Sequence, residues 1–148
     1  MIGGDCLYMK LHNFIIERLP FIDGYGECGR AYDDNGISNH SAFKQSIREN
    51  VQGDVGVFII QTNETTKMNG HSEYKSEVQI VVNCINGDID SAIDYLSKAL
   101  ENIKKNNKNE FIWVKNCKLV NMSPVGKNSS GIHWCVLNVL LTYITNED

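Results

Sequence analysis

The residues of this chain that could do chemistry are five cysteines, four histidines and a few close acidic pairs, spread over 148 positions. His133 and Cys135 are two apart, so on a β-strand they share a side and form a conceivable Cys–His nucleophile pair. The run that holds them is strongly apolar, whereas a reactive thiol needs partly exposed, electropositive surroundings. The expectation is a buried, partnered histidine beside an inert thiol. Cys28 with His40 is a second conceivable pair, in a glycine-rich stretch. His12, His40, His71 and His133 are far apart, and none has the i, i+4 spacing of a helical metal site. Cys6, Cys28, Cys84, Cys117 and Cys135 contain no C-x-x-C pair, so structural zinc is not expected.

Gly24-Tyr25-Gly26-Glu27-Cys28-Gly29 spells G-x-G-x-x-G. That motif binds a pyrophosphate only with a strand before it and a helix N-terminus after it. Here a helix and Pro20 precede it and a turn-like sequence follows, so the glycines read as a bending loop. Asp33-Asp34 reads as turn chemistry, and Asp88 with Asp90 as helix capping. Trp113 and Trp134 are conceivable ligand platforms, but aromatics on alternating strands read first as core or cross-strand packing. No catalytic, cofactor-binding or metal-binding residue is nominated, and no cofactor is expected.

The elements that position these residues follow from periodicity. Leu7, Leu11, Phe14, Ile15 and Leu19 form one helical stripe, stopped by Pro20. Residues 21–56 read as an irregular arm, with a short helix over 41–50 inside it. Val57-Phe58-Ile59-Ile60 is a strand-like apolar run. Residues 62–73 are polar and aperiodic and read as a long hairpin loop, containing Asn69-Gly70. Alternation over 74–85 gives a second strand. Ile89, Ala92, Ile93, Leu96, Ala99, Leu100 and Ile103 then trace an unbroken amphipathic helix. Asp88 is its expected N-cap, and Lys104, Lys105 and Lys108 stand at the end that favours cations. Residues 111–122 form a third strand and 123–131 a Pro/Gly turn. Residues 132–145 form a fourth strand, apolar on both parities and so expected to be central and buried on both faces. The sum is a single α+β domain over 1–148, a largely antiparallel four-stranded sheet covered on one face by two helices.

Composition narrows the function classes. Hydrophobic residues are 42% and charged residues 22%, which excludes wholesale disorder. A net charge of -4 argues against tight nucleic-acid binding, which needs a basic footprint. No apolar run is long enough for a membrane helix. Met1 to Leu7 lacks the basic and apolar regions of a secretion signal, and scattered cysteines suit a reducing compartment. The cytoplasm is therefore the expected site of synthesis.

The order of features resembles a family. Phe14-Ile15-Ile16-Glu17-Arg18-Leu19-Pro20 closes the first helix. Val78-Gln79-Ile80-Val81-Val82 leads through a turn into the amphipathic helix over 88–103. A Pro/Gly turn precedes Trp134-Cys135-Val136-Leu137-Asn138-Val139. This layout, over residues 10–145, is similar to that of short bacteriophage minor capsid or tail terminator (head-to-tail joining) proteins; the stretch 38–54 departs from it. The resemblance implies a non-enzymatic virion protein that assembles with itself as a ring, commonly a hexamer, on the end of the tail tube. Its partners would be the tail tube protein and the head–tail connector protein, in the host cytoplasm during assembly and then in the virion, with DNA passing through the lumen. The loops expected to make these contacts are 24–39, 62–73 and 123–131. The alternative is a small cytoplasmic binding module, an immunity or adaptor protein with a single partner. A third reading is an enzyme using Cys28 or Cys135.

Overall fold

Among the described residues, two helices form where apolar residues recur at helical spacing, and four strands form elsewhere. The computed structural model describes residues 7–20, 53–68, 71–84, 89–127 and 133–146. In chain order the elements are α1 (Leu7–Ile16), β1 (Gly53–Met68), β2 (His71–Cys84), α2 (Ile89–Lys105), β3 (Ile112–Lys127) and β4 (His133–Asn146). The strands form one antiparallel sheet in the order β1-β2-β4-β3. The fold is α+β, as the periodicity predicts. Because β4 lies between β2 and β3, α2 joins two parallel strands that are not neighbours, a split β-α-β arrangement.

The core follows from register. Val57, Ile80, Leu137 and Met122 share one cross-sheet row, and Ile59, Val78, Val139 and Leu119 share the next. The helices lie on this face, since Ser97 of α2 donates to the Met122 sulfur. Leu11, Phe14 and Ile15 of α1 and Ala92, Leu96, Ala99 and Ile103 of α2 are fully buried against it. Each stripe is thus apolar because one side of its helix is removed from water. α1 reaches both edge strands, β1 and β3, and so lies across the sheet. It ends at Ile16 rather than at Leu19: Arg18 N–H donates to Ile15 and Leu19 N–H to Ile16, a tightening of the last turn before Pro20.

Three expectations are corrected. Residues 62–73 are not a loop. β1 continues to Met68 and β2 begins at His71, paired throughout, so only Asn69 and Gly70 separate the strands and these lie outside the described residues. The segment holds as sheet because its hydroxyls pair across strands. Thr62 Oγ1 lies 2.8 Å from Ser76 Oγ, which lies 2.6 Å from the Tyr143 hydroxyl. Tyr143 stacks on Tyr74, ring centroids 5.8 Å apart. Residues 123–127 are likewise strand, the end of β3, and not a turn; 128–131 lie outside the described residues. The irregularity expected at Pro124 and Gly126 is absorbed as a register shift between them. β4 is central, fully buried on one face and only partly on the other: Cys135, Leu137, Val139, Leu141 and Tyr143 are fully buried, whereas on the second face Val136 is buried beside Val81 but Trp134, Asn138, Leu140, Thr142 and Ile144 are half-buried. On that second face an amide ladder crosses three strands: Gln79 donates to Asn138 and Asn138 to Asn121. The expected helix over 41–50 and most of the arm expected over 21–56 lie outside the described residues; its last four residues, 53–56, are not irregular but open β1.

Candidate interaction surfaces

Two surfaces stand out: a basic aromatic corner and the two edges of the sheet. The corner is built where α1 ends, α2 ends and β3 begins. Asn109 Oδ1 accepts from Phe111 N–H and Ile112 N–H at 2.8 and 2.7 Å, turning the chain into β3. Val114 N–H donates to the Asn107 carbonyl and Asn109 N–H to that of Ile112, so 107–109 folds back along the start of β3. This turn presents Phe111, 39% exposed, and Trp113, 46% exposed. Lys10 Nζ sits 5.1 Å from the Phe111 ring centre and Lys108 Nζ 5.5 Å from that of Trp113. Both distances are within cation–π range. Lys108, Phe111 and Trp113 border, with His71 and Ile144, a cleft of about 540 Å³.

Arg18 holds the corner together. Its guanidinium lies 3.6 Å from the Phe14 ring centre and donates to the carbonyls of Phe14, Lys108 and Asn106. Asn102 donates back to the Arg18 carbonyl at 3.0 Å. Burial pulls the guanidinium's pKa below its ordinary value, with Glu17 opposing, yet an arginine stays charged at any working pH. The cation thus caps the carbonyl ends of both helices, the end where the helix dipole favours it.

The edges are long and irregular. β1 shifts register between Ile59 and Gln61 and between Glu64 and Thr66, which extrudes Ile60 and Thr65. β3 shifts between Val114 and Asn116 and between Leu119 and Asn121, which extrudes Lys115 and Val120. Ile60 is 51% exposed, Leu119 43% and Val120 54%. Branched apolar side chains at this exposure on edge strands are unusual, since edges are ordinarily guarded by charge.

The other residues singled out by sequence are placed as follows. Cys135 is fully buried in the core, which fits an inert thiol. His133 stands at the first position of β4, in register with Cys84 and Lys127. His12 is buried in α1, and His71 is exposed at the start of β2. Asp90 is exposed in the first turn of α2. Trp134 packs partly against the core as expected, but Trp113 does not; it stands out from the corner. The loop 24–39, the G-x-G-x-x-G run, Asp33, Asp34, Cys28, His40 and Asp88 lie outside the described residues. Among the described residues no three of His, Cys, Asp and Glu are grouped as a metal site would need. No helix among them is long and apolar enough to cross a membrane.

Sequence reasoning missed Phe111 and Arg18. Neither is part of a periodic or spaced signal; each acquires its role from elements far away in the chain.

Burial raises the Cys117 thiol pKa above its ordinary value, and Lys104 offsets this only in part. The thiolate is the reactive form. Cys117 is therefore expected to alkylate more slowly than free cysteine at neutral pH and to speed up as pH rises beyond the ordinary thiol range. Cys135 is expected to react only on unfolding. Peptide mapping by mass spectrometry after timed iodoacetamide treatment reads both; fast neutral-pH labelling of Cys135 contradicts its burial.

No protein-family model and no curated protein matches the chain.

Proposed function

We propose that the chain is a structural protein of a phage particle, a tail terminator that forms a ring at the head-proximal end of the tail tube. The ring ends tube polymerisation and joins the tail to the head connector. One observation carries this reading: the sheet is open and antiparallel, and each of its edge strands is sixteen residues long and exposes branched apolar side chains. Such an edge is a template for another chain. The layout resemblance supplies the setting. Head-to-tail contacts of this kind close into rings when the rotation per subunit permits. The mild negative charge suits a lumen through which DNA passes without sticking.

The test is negative-stain imaging and sedimentation of the purified protein at rising concentration, then its addition to polymerising tail tube protein. Annuli and tubes of capped length are the expected result. A monomer at every concentration that leaves tube length unchanged overturns the reading.

The basic aromatic corner favours the second reading, a binding module with a single protein partner. Phe111 and Trp113 would be its anchors, since exposed aromatics beside cations carry much of the energy at protein interfaces. A one-to-one complex lost on Trp113→Ala, with no ring at any concentration, would select it.

A further inference from the structure

The cleft at the corner combines exposed rings, an apolar wall and a cation that no acid neutralises. Phe111 and Trp113 flank the buried Ile112, and both rings are left exposed at the turn into β3. Trp113 is in register with Ile144, so the two side chains share a face of the sheet, and both border the cleft. Lys108 borders it too and holds its ammonium over the Trp113 ring. A ring takes up one side of an ammonium, which has three donors, and leaves the rest for an acceptor. Among the described residues no carboxylate lies within ion-pair distance of Lys108 or Lys10, whereas Lys98, Lys105 and Lys115 each have one.

The neighbouring acids are engaged elsewhere, with one exception. Glu73 lies on the row of Ile144 and Trp113, but Lys115 holds it at 3.5 Å and the Thr65 hydroxyl donates to it at 3.1 Å. Glu110 is the exception. It borders the cleft, is exposed, and has no ion-pair partner among the described residues.

We propose that the cleft takes a segment of a partner protein in which an acidic side chain adjoins an apolar one. The apolar group lies against Trp113 and Ile144, and the carboxylate sits on Lys108. A second acid further along the segment meets Lys10 at Phe111. This names the chemistry of the partner in the single-partner reading and rests on that reading. A free small molecule fits less well. About 540 Å³ is room enough for one. Small-ligand sites, however, bury roughly 70–90% of their ligand, whereas these two rings stand exposed and are covered only by something wider than the cleft. A nucleic acid fits less well again. It needs a basic footprint, and the cleft offers Lys108 beside Glu110 in a chain of net charge -4.

The experiment uses the full chain and the indole N–H signals of its two tryptophans, assigned with Trp113→Phe. The probes are the blocked peptide Gly-Asp-Leu-Gly-Asp-Gly, the same peptide with Asn or with Lys in place of both Asp, and an eight-nucleotide oligothymidylate. The acidic peptide is expected to move the Trp113 signal and to leave that of Trp134 in place. Lys108→Gln should weaken its binding about fivefold, Lys10→Gln about twofold, and Glu110→Gln should tighten it about threefold, the range of exposed charge pairs. Trp113→Ala, read at the Phe111 amide, should weaken it more than about tenfold, as loss of an aromatic anchor does. These side chains are exposed or half-buried, so circular dichroism and the melting midpoint should hold. A general loss of structure cannot produce the opposite effects of Lys108→Gln and Glu110→Gln. An asparagine or lysine peptide that binds as tightly as the acidic one overturns the proposal, and so does oligothymidylate binding where no peptide binds. A Trp113 signal that no peptide moves overturns it as well. In each of these cases the single-partner reading still stands or falls by its own Trp113-dependent one-to-one complex.

Discussion

Replacing Arg18 with alanine is expected to lower the unfolding free energy by about 3 kcal/mol, a large effect for one residue. Arg18 is only 8% exposed. Its guanidinium is the common donor to three carbonyls from three places: α1, the residue after α2, and the turn into β3. Charge-assisted bonds contribute about 1.5–3 kcal/mol each. The sum is not lost in full, because the Lys108 and Asn106 carbonyls sit at the surface end of the corner and can take up water. The loss of stacking on Phe14 adds to it. Arg18→Lys keeps the charge but not the planar fork, so about half the loss is expected. In a domain of this size 3 kcal/mol corresponds to a fall in melting temperature of about 6–12 °C. Urea unfolding of the three chains decides it: a loss below about 1 kcal/mol would mean that the carbonyls rehydrate freely and that the helices are held by apolar packing alone.

Tyr143→Ala should cost about 3–5 kcal/mol and Tyr143→Phe about 1 kcal/mol. Tyr143 is fully buried on β4, stacked on Tyr74 of β2 and joined through Ser76 to Thr62 of β1. It is the largest inward side chain in a stretch of sheet that it shares with Ile112, Val114 and Leu141 and with the hydroxyls of Thr62, Ser72 and Ser76. Truncation to alanine leaves a cavity and takes one of its two partners from the buried Ser76 hydroxyl, which keeps Thr62. Removal of the phenol oxygen alone loses one hydrogen bond and keeps the packing. The two variants should also differ in place. Hydrogen exchange at 62–68 of β1 is expected to accelerate sharply in Tyr143→Ala and slightly in Tyr143→Phe, while Val55, Val57 and Ile59 stay protected. Uniform acceleration along β1 would show that its polar half does not depend on the tyrosine.

These two residues mark where legibility in the sequence ends. α2 was readable to within two residues because its stripe repeats without a miss and its charges sit at the favoured ends. The apolar halves of β1 and β2 were readable by strand character and alternation. Their polar halves were not. The signal used was hydrophobic periodicity, and Thr62, Ser72 and Ser76 carry none, although threonine favours strands and its hydroxyl pairs across them. The turn signal in 123–131 starts too early for a similar reason: Pro124 and Gly126 ordinarily break a strand, but on an edge a bulge accommodates them.

Sequence by itself determined the α+β class, the two helical stripes, the apolar strand cores and the scatter of reactive residues. All of these are properties of short windows, set by which side of an element is apolar. Tertiary structure alone decided the strand order, the length of the edges, the exposure of Ile60 and Val120 at bulges in those edges, and the Arg18 corner. Each of those depends on which distant segment lies alongside, a matter of register and packing between residues that in the corner are some 88 to 90 positions apart. No local pattern encodes such a distance. It is settled only when burial of the helix stripes against one face of the sheet fixes the whole arrangement at once.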